Sequence, residues 1–306
     1  MTAGPRAGGS VVVRVPASSA NLGPGFDSVG CALGVWDECT ATVTSGGGLE
    51  VVVEGEGADV VPRDESHLVH RAMRAAWTDL GVHAPAGLRL ECRNAVPHGR
   101  GMGSSATAIV TGIVAAFALV GDGEVDLDRA NSLAARLEGH PDNASASVYG
   151  GMTLSWADGE ATTTVRLPVH PDVVPVVFAP DAQLSTARAR SVLPQQVRLA
   201  DAAANSARAA LLAHAVGSAP RHLLAATRDW LHQEARRASY PESMALVDAL
   251  RADGHAAVIS GAGPSVLVLA VADRVPDVVA HGPRGWRVLT PGIPDRGAEV
   301  RVLDAP

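Results

Sequence analysis

Apolar residues alternate with polar ones along residues 38–45 (ECTATVTS), and β-rich runs occupy 11–17 (VVVRVPA) and 49–55 (LEVVVEG). Period-two alternation buries one face of a strand, so all three are predicted strands. NLGPGFDSVG, residues 21–30, is too rich in glycine to continue the first strand and reads as a loop. The period then changes. In 66–81, Leu68, Val69, Ala72, Met73, Ala76, Trp77 and Leu80 recur every three or four residues, the spacing of one helix face, with Ser66 placed to cap its start and Gly81 its end. GLRLEC (87–92) is a further strand, and 106–121 is apolar on every side, which predicts a buried helix. An amphipathic helix over 127–139 follows, then a hairpin over 150–167 around Asp158 and Gly159, with a loop a residue or two longer than an ideal turn.

The pattern changes character near residue 168. One strand, 173–179, precedes three or four alanine-rich helices, the stretch AAVISGAGPSVLVLAV (256–271) and two late strands. The expected division is a disordered stretch over 1–10, one domain over 11–167 and a second over 168–306. Strands and helices do not follow a regular βαβ rhythm, so the expected class is α+β. No internal repeat or low-complexity tract interrupts the chain.

Composition narrows the function. At 306 residues and 47% hydrophobic content the chain can fill a sizeable core, as a soluble globular protein does. A net charge of -7 without basic runs leaves no electrostatic footprint for nucleic acid or an anionic membrane. All 25 basic residues are arginines. Without lysine there is no Schiff-base chemistry and no Walker A loop. Cys31, Cys39 and Cys92 have neither paired spacing nor an even count, which argues against a disulfide framework or a zinc site. The first residues have no apolar leader segment and no apolar run approaches membrane-spanning length, so the expected location is the cytoplasm.

Candidate chemistry starts with VPHGRGMGSSATA, residues 96–108. A loop that runs straight into a buried helix is itself fixed. Gly99, Gly101 and Gly103 remove Cβ atoms from its backbone, while Ser104, Ser105 and the first helical N–H groups point out of the helix start. The positive end of the helix dipole adds to these donors, so a di- or triphosphate is the natural guest. Taken alone, the loop reads equally as a glycine turn with serine capping. A dinucleotide fingerprint through Gly101, Gly103 and Ala106 fails on context, because NAVPHGR separates it from the preceding strand.

Four stretches in this order, PASSANLGPGFDSVG, GRGMGSSATA, EGHPDNASASVYGG and ISGAGPS, resemble those of the GHMP small-molecule kinases, and the first and third are similar to the homoserine kinase branch. The resemblance spans residues 11 to 270. It implies a two-domain fold, the first domain like ribosomal protein S5 domain 2 and the second a ferredoxin-like α/β sandwich. It also implies transfer of the γ-phosphoryl of Mg-ATP to the hydroxyl of L-homoserine, giving O-phospho-L-homoserine in threonine biosynthesis, and a homodimer. A non-catalytic nucleotide sensor and a kinase for another acceptor, mevalonate or a sugar alcohol, remain the alternatives.

The resemblance also distributes roles. Pro97, Gly99, Arg100, Gly101, Met102, Gly103, Ser104, Ser105 and Ala106 would surround ATP, with His67 near the adenine in place of a common asparagine. Glu138 and Ser105 would hold magnesium; on sequence alone Glu138 is equally a solvated residue at a helix end, where it opposes the dipole. Asn143 would sit beside the reacting hydroxyl and His140 in the amino-acid pocket, although HPDN also reads as a helix cap. Asn143 is neutral where some relatives carry an aspartate, so no dedicated base is expected. Asn21 and Asp27, which alone suggest Asx-turn chemistry, would meet the hydroxyl and ammonium. Arg190 and Arg236, with Thr186 alongside, would take the carboxylate by paired hydrogen bonds. Arg237 is the alternative to Arg236. Gly261 and Gly263 are expected to support the site.

Overall fold

The computed structural model describes residues 4–159 and 161–303. Its first sheet has seven strands: β1 (Ser10–Ala20), β2 (Val29–Val43), β3 (Gly48–Gly55), β4 (Gly87–Asn94), β5 (Met152–Asp158), β6 (Ala161–Leu167) and, from the far end of the chain, β11 (Glu299–Leu303). The order is β11-β1-β2-β4-β3, with β5 on the other half of β2 and β6 beyond β5. The 15-residue β2 makes this possible: Glu38–Val43 pair with β4 and Val29–Cys31 with β5. The β1–β2 register shifts between Pro16 and Ala17, where β2 carries Gly34 and Val35 as extra residues, a bulge that bends the strand. Among the described residues only β3 and β4 run parallel, joined by the crossover helix α1 (Leu68–Leu80), as parallel pairing requires.

Helices α2 (Ser104–Val120), α3 (Leu127–Glu138) and α4 (Asp142–Tyr149) complete this half. The apolar α2 lies at its centre, packed on α1, β1, α3 and α4. Gly112 lets α1 settle onto it, since a Cβ there would stand 2.3 Å from the Val69 carbonyl oxygen.

The second sheet contains β7 (Val173–Ala179), β8 (Ala257–Ile259), β9 (Val266–Val271) and β10 (Arg287–Leu289), in the order β10-β7-β9-β8, antiparallel throughout. Between β7 and β8 come α5 (Thr186–Ser191), α6 (Leu199–Ser218), α7 (Leu223–Ala226) and α8 (Pro241–Ala252), and α9 (Val275–Val279) joins β9 to β10. This is the βαββαβ order of a ferredoxin-like sandwich. Ala17, Leu33, Val96 and Met102 of the first half share one core cluster with Val177, Leu212, Val258 and Leu267 of the second. The cleft between the halves therefore has a packed floor.

Several expectations are corrected. Residues 4–9 are ordered: Gly8 N–H donates to the Val43 carbonyl at 2.8 Å, and Val43 N–H to that of Gly9 at 2.9 Å; residues 1–3 lie outside the described residues. The 168–306 division omits the return of β11, whose pairing with β1 puts the last strand in the first half. Ser66 does not cap α1; its hydroxyl donates to Asp64 Oδ1 at 2.5 Å, and the cap position is His67, without a side-chain bond. Helix α2 begins at Ser104, two residues early, and the hairpin ladder reaches the pair Asp158–Ala161, so its loop is not lengthened.

Candidate active site

The phosphate-type loop is held open by close packing behind it. Gly99, Gly101 and Gly103 all have positive φ, a region unfavourable to other residues. A Cβ on Gly101 would lie 2.2 Å from the Ser260 carbonyl oxygen, and one on Gly103 2.2 Å from Ser18 Oγ. The glycines therefore admit protein atoms on the rear of the loop. The 260–265 segment clamps it: Ser260 Oγ donates to the Gly101 carbonyl at 2.6 Å, Ser265 N–H to the Arg100 carbonyl at 3.2 Å and Gly261 N–H to the Ala20 carbonyl at 3.1 Å. Gly103 is the left-handed cap of α2 and no side chain caps that helix. Thr107 N–H takes the Gly103 carbonyl at 2.8 Å, so the donors of Ser104, Ser105 and Ala106 precede the first bond of the ladder. Gly99, Gly101, Gly103, Ser104 and Ser105 line a cavity of about 220 Å³.

Two carboxylates enter the same cavity. Glu138, the last residue of α3, accepts from Ser105 Oγ at 2.5 Å, so a helix end and a helix start 33 residues apart meet at one polar point. Burial pushes its carboxyl up, against the Ser105 bond and the nearby His140. Asp142 Oδ1 takes both His140 Nδ1 and Asn143 N–H at 2.7 Å. Burial alone would lower His140, but the Asp142 bond and the charges of Asp142 and Glu138 outweigh it and raise its pKa. The ring thus gives Nδ1–H to Asp142 and leaves Nε2 for the cavity that His140 lines. Asn143 Oδ1 accepts from Ser18 Oγ at 3.0 Å, so the free end of its amide is the NH₂ donor. An amide donor cannot remove a proton.

The other wall is cationic. Arg236 is buried, donates Nε–H to the Ala189 carbonyl at 2.9 Å and lies 3.2 Å from His232 Nδ1. Arginine only donates, so His232 Nδ1 accepts and its Nε2–H goes to the Gly23 carbonyl at 2.8 Å. Burial lowers the His232 pKa, consistent with this neutral tautomer. Among the described residues no carboxylate stands within ion-pair distance of Arg236, and burial followed by repulsion from Arg190 lowers its pKa. Arg190 forms a two-bond pair with Asp27, at 2.5 and 3.1 Å. Both guanidinium groups lie over Phe26, whose ring stacks on His232. Arg237 points outward to Glu234 and Asp248.

Asn21, Thr186, Arg190, Arg236, His140 and Asn143 all line the cavity, while Asp27 stands behind Arg190. The Asn21 amide is already engaged, with Nδ2 donating to the Gly261 carbonyl and Oδ1 accepting from Asp27 N–H. Five of the residues expected around ATP do not turn a side chain into this cavity. Pro97, Met102 and Ala106 are buried in the packing behind the loop, so only their backbone can meet a ligand. Arg100 turns away to Glu56 and the Asp181 carbonyl. His67 lines a second, more apolar cavity of about 230 Å³ that shares Ser104 and Ser105 with the first. Sequence reasoning missed Asp37 in this cavity, and Ser18, Phe26 and His232 beside the first. Only the spacing of His232 four residues before Arg236, one helical turn, carried any signal.

Comparison with known proteins fits this geometry. The GHMP kinase N-terminal family matches residues 67–151 and the C-terminal family residues 207–283. Homoserine kinase of Streptomyces avermitilis is 49% identical over 298 residues, 97% of each chain. That of Cutibacterium acnes is 50% identical over 272 residues, 88% of this chain and 92% of its own. The crystal structure of homoserine kinase from Cytophaga hutchinsonii superposes with a TM-score of 0.84 at 25% identity, covering 95% of this chain and 97% of that one. Mevalonate kinase of L. major, at 17% identity and a TM-score of 0.67 over 94% of this chain and 98% of its own, shares the fold.

Proposed function

The chain belongs to the homoserine kinases of the GHMP kinase family, which pass the γ-phosphoryl of ATP to the homoserine hydroxyl in threonine biosynthesis, and we propose how its own residues do so. The backbone of Gly99–Ser105 and the first turn of α2 cradle the triphosphate, with the base in the adjoining apolar cavity. Glu138 and Ser105 fit magnesium: both offer hard oxygen atoms at one point beside the phosphate cradle. Among the described residues no cluster of three acidic, histidine or cysteine side chains could hold a metal unaided, and magnesium takes its remaining ligands from phosphates and water. When bound, the ion neutralises charge developing on the phosphates.

The single observation that carries the acceptor assignment is Arg236, a buried cation in the cleft with no carboxylate of its own. Leaving such a charge unpaired is costly, and a substrate carboxylate completes it by a two-bond contact. Beside it Arg190, paired with Asp27, lines the cavity, and Asp27 supplies from behind it the negative charge that balances a zwitterion's ammonium at longer range. His140, Thr186 and Asn21 close the amino-acid pocket, and the Asn143 NH₂ holds the reacting hydroxyl oxygen in line. No residue serves as general base; phosphoryl transfer has a loose transition state, so the proton can leave late.

The resemblance to homoserine kinases supports a homodimer and a cytoplasmic location; no described helix is long and apolar enough to cross a membrane. Isothermal titration of L-homoserine, its decarboxylated amine and its des-amino acid tests the pocket. Loss of binding by both analogues is expected, and equal binding of the amine would exclude Arg236 as the carboxylate site.

A further inference from the structure

The second cavity contains polar groups that the protein itself leaves without partners. His67 Nδ1 and Thr111 Oγ1 are buried with no hydrogen-bond partner, and both residues line it. They come from two helices: His67 caps α1 and Thr111 lies seven residues into α2, brought together by the close α1–α2 packing at Gly112. Asp37 lines the same cavity and is 7% exposed. Its Oδ1 accepts from Ala95 N–H at 2.7 Å and Val96 N–H at 2.9 Å, which leaves Oδ2 as its one uncommitted acceptor. The rest of the wall includes Cys39, Cys92 and Ala108. A buried polar atom left unpaired is costly, so two in one apolar cavity, beside a carboxylate with one free oxygen, indicate a polar-edged ligand.

We infer that Asp37, His67 and Thr111 form a base-reading set that selects a 6-aminopurine over a 6-oxopurine. The inference rests on the nucleotide placement proposed above. Ser104 and Ser105 belong to both cavities, and Ala108 and Thr111 continue the same face of α2. Thr111 stands about 9 Å along the helix from Ser105 at 1.5 Å per residue, the separation of a nucleobase from its phosphates. Burial, then the neighbouring histidines 70 and 98, lowers the His67 pKa and keeps the ring neutral, able to donate from one nitrogen and accept at the other. Asp37 Oδ2 accepts from the exocyclic amine, while Thr111 and His67 meet the ring nitrogens. An oxopurine sets its O6 against the carboxylate, a repulsive contact that discriminates by itself. A guanine edge that presents two donors needs both carboxylate oxygens, and Oδ1 is already committed.

The test compares ATP with inosine triphosphate under saturating homoserine. Asp37→Asn keeps an oxygen for the two backbone donors and puts an NH₂ where the acceptor stood. It should lower the ratio of kcat/KM for ATP to that for inosine triphosphate at least tenfold, partly by improving the latter. Thr111→Val should raise the ATP KM about tenfold without changing inhibition by tripolyphosphate, which has no base, and it decides the matter if Asp37→Asn does not fold. Ala108→Phe, which fills the cavity, separates the two claims. If it raises the ATP KM while Asp37→Asn leaves the ratio unchanged and Thr111→Val leaves the ATP KM unchanged, the cavity holds the base but the reading set is wrong. If Ala108→Phe leaves the ATP KM unchanged, the base lies elsewhere and both claims fall.

Discussion

Replacing Arg236 by methionine removes the cleft's unpaired cation while roughly keeping its length. Two opposing terms set the stability of the unliganded protein. A desolvated charge disappears, which favours the variant. The His232 Nδ1 acceptor and the Ala189 carbonyl lose their donor, at about 1–3 kcal/mol for each group left unsatisfied. The apo melting temperature should therefore move by only a few degrees. Substrate binding has no such cancellation. Loss of a buried, hydrogen-bonded charge pair costs about 2–5 kcal/mol, which raises the homoserine KM by about 30-fold at the least and up to about 4,000-fold. Thermal unfolding gives an independent readout: at 100 times Kd, homoserine stabilises the wild type by about 2.7 kcal/mol, and the same concentration should barely shift Arg236→Met. Arg237→Ala is the control, because that residue pairs with Glu234 and Asp248 on the surface. A homoserine KM for Arg236→Met within threefold of wild type, or an undiminished thermal shift, refutes the assignment.

Other outcomes follow from the same geometry. Glu138→Gln should reduce kcat by at least two orders of magnitude, with little change in homoserine affinity; near-normal turnover at limiting magnesium would remove Glu138 as a ligand. Gly101→Ala must place a Cβ 2.2 Å from the Ser260 carbonyl oxygen at φ +75°, so denaturant titration should show a loss of about 2 kcal/mol or more, together with weaker ATP binding. Burial raises the Asp37 pKa to about 6, against its two backbone hydrogen bonds and aided by Glu56. A carboxyl whose folded pKa exceeds its unfolded value binds protons more tightly when folded, so stability falls as pH rises from about 4 to about 6 and is flat above. Asp37→Asn lacks this loss and should gain on the wild type by up to about 3 kcal/mol across that window, measured by urea unfolding; a constant gap would refute the shift.

Periodicity located most elements because each buries one face against a core. Helix α1, helix α3 and strand β7 stand within two residues of the positions their patterns predict. The first half of β2 was illegible because Val29–Asp37 is buried or half-buried on both faces, which erases alternation. The return of β11 to β1 was hidden because five residues carry no record of a partner some 290 positions away. The site divides in the same way. Glu138, Ser105 and Asn143 lie within local motifs and line one cavity. The Asp27–Arg190 pair, the neutral His232 beneath Arg236 and the orphaned atoms of His67 and Thr111 depend on chain crossings. Motif reading also overcounted: Met102 and Arg100 sit in the phosphate loop's sequence, yet one side chain is core and the other faces Glu56.

The most direct test is ADP release by the purified protein with Mg-ATP and, in turn, L-homoserine, L-serine, L-threonine, mevalonate and galactose. The Arg236 and Asp27–Arg190 pocket predicts strong turnover on L-homoserine and little on the others. Nucleotide binding without turnover on any of them, or preferential turnover of mevalonate or galactose, would contradict it.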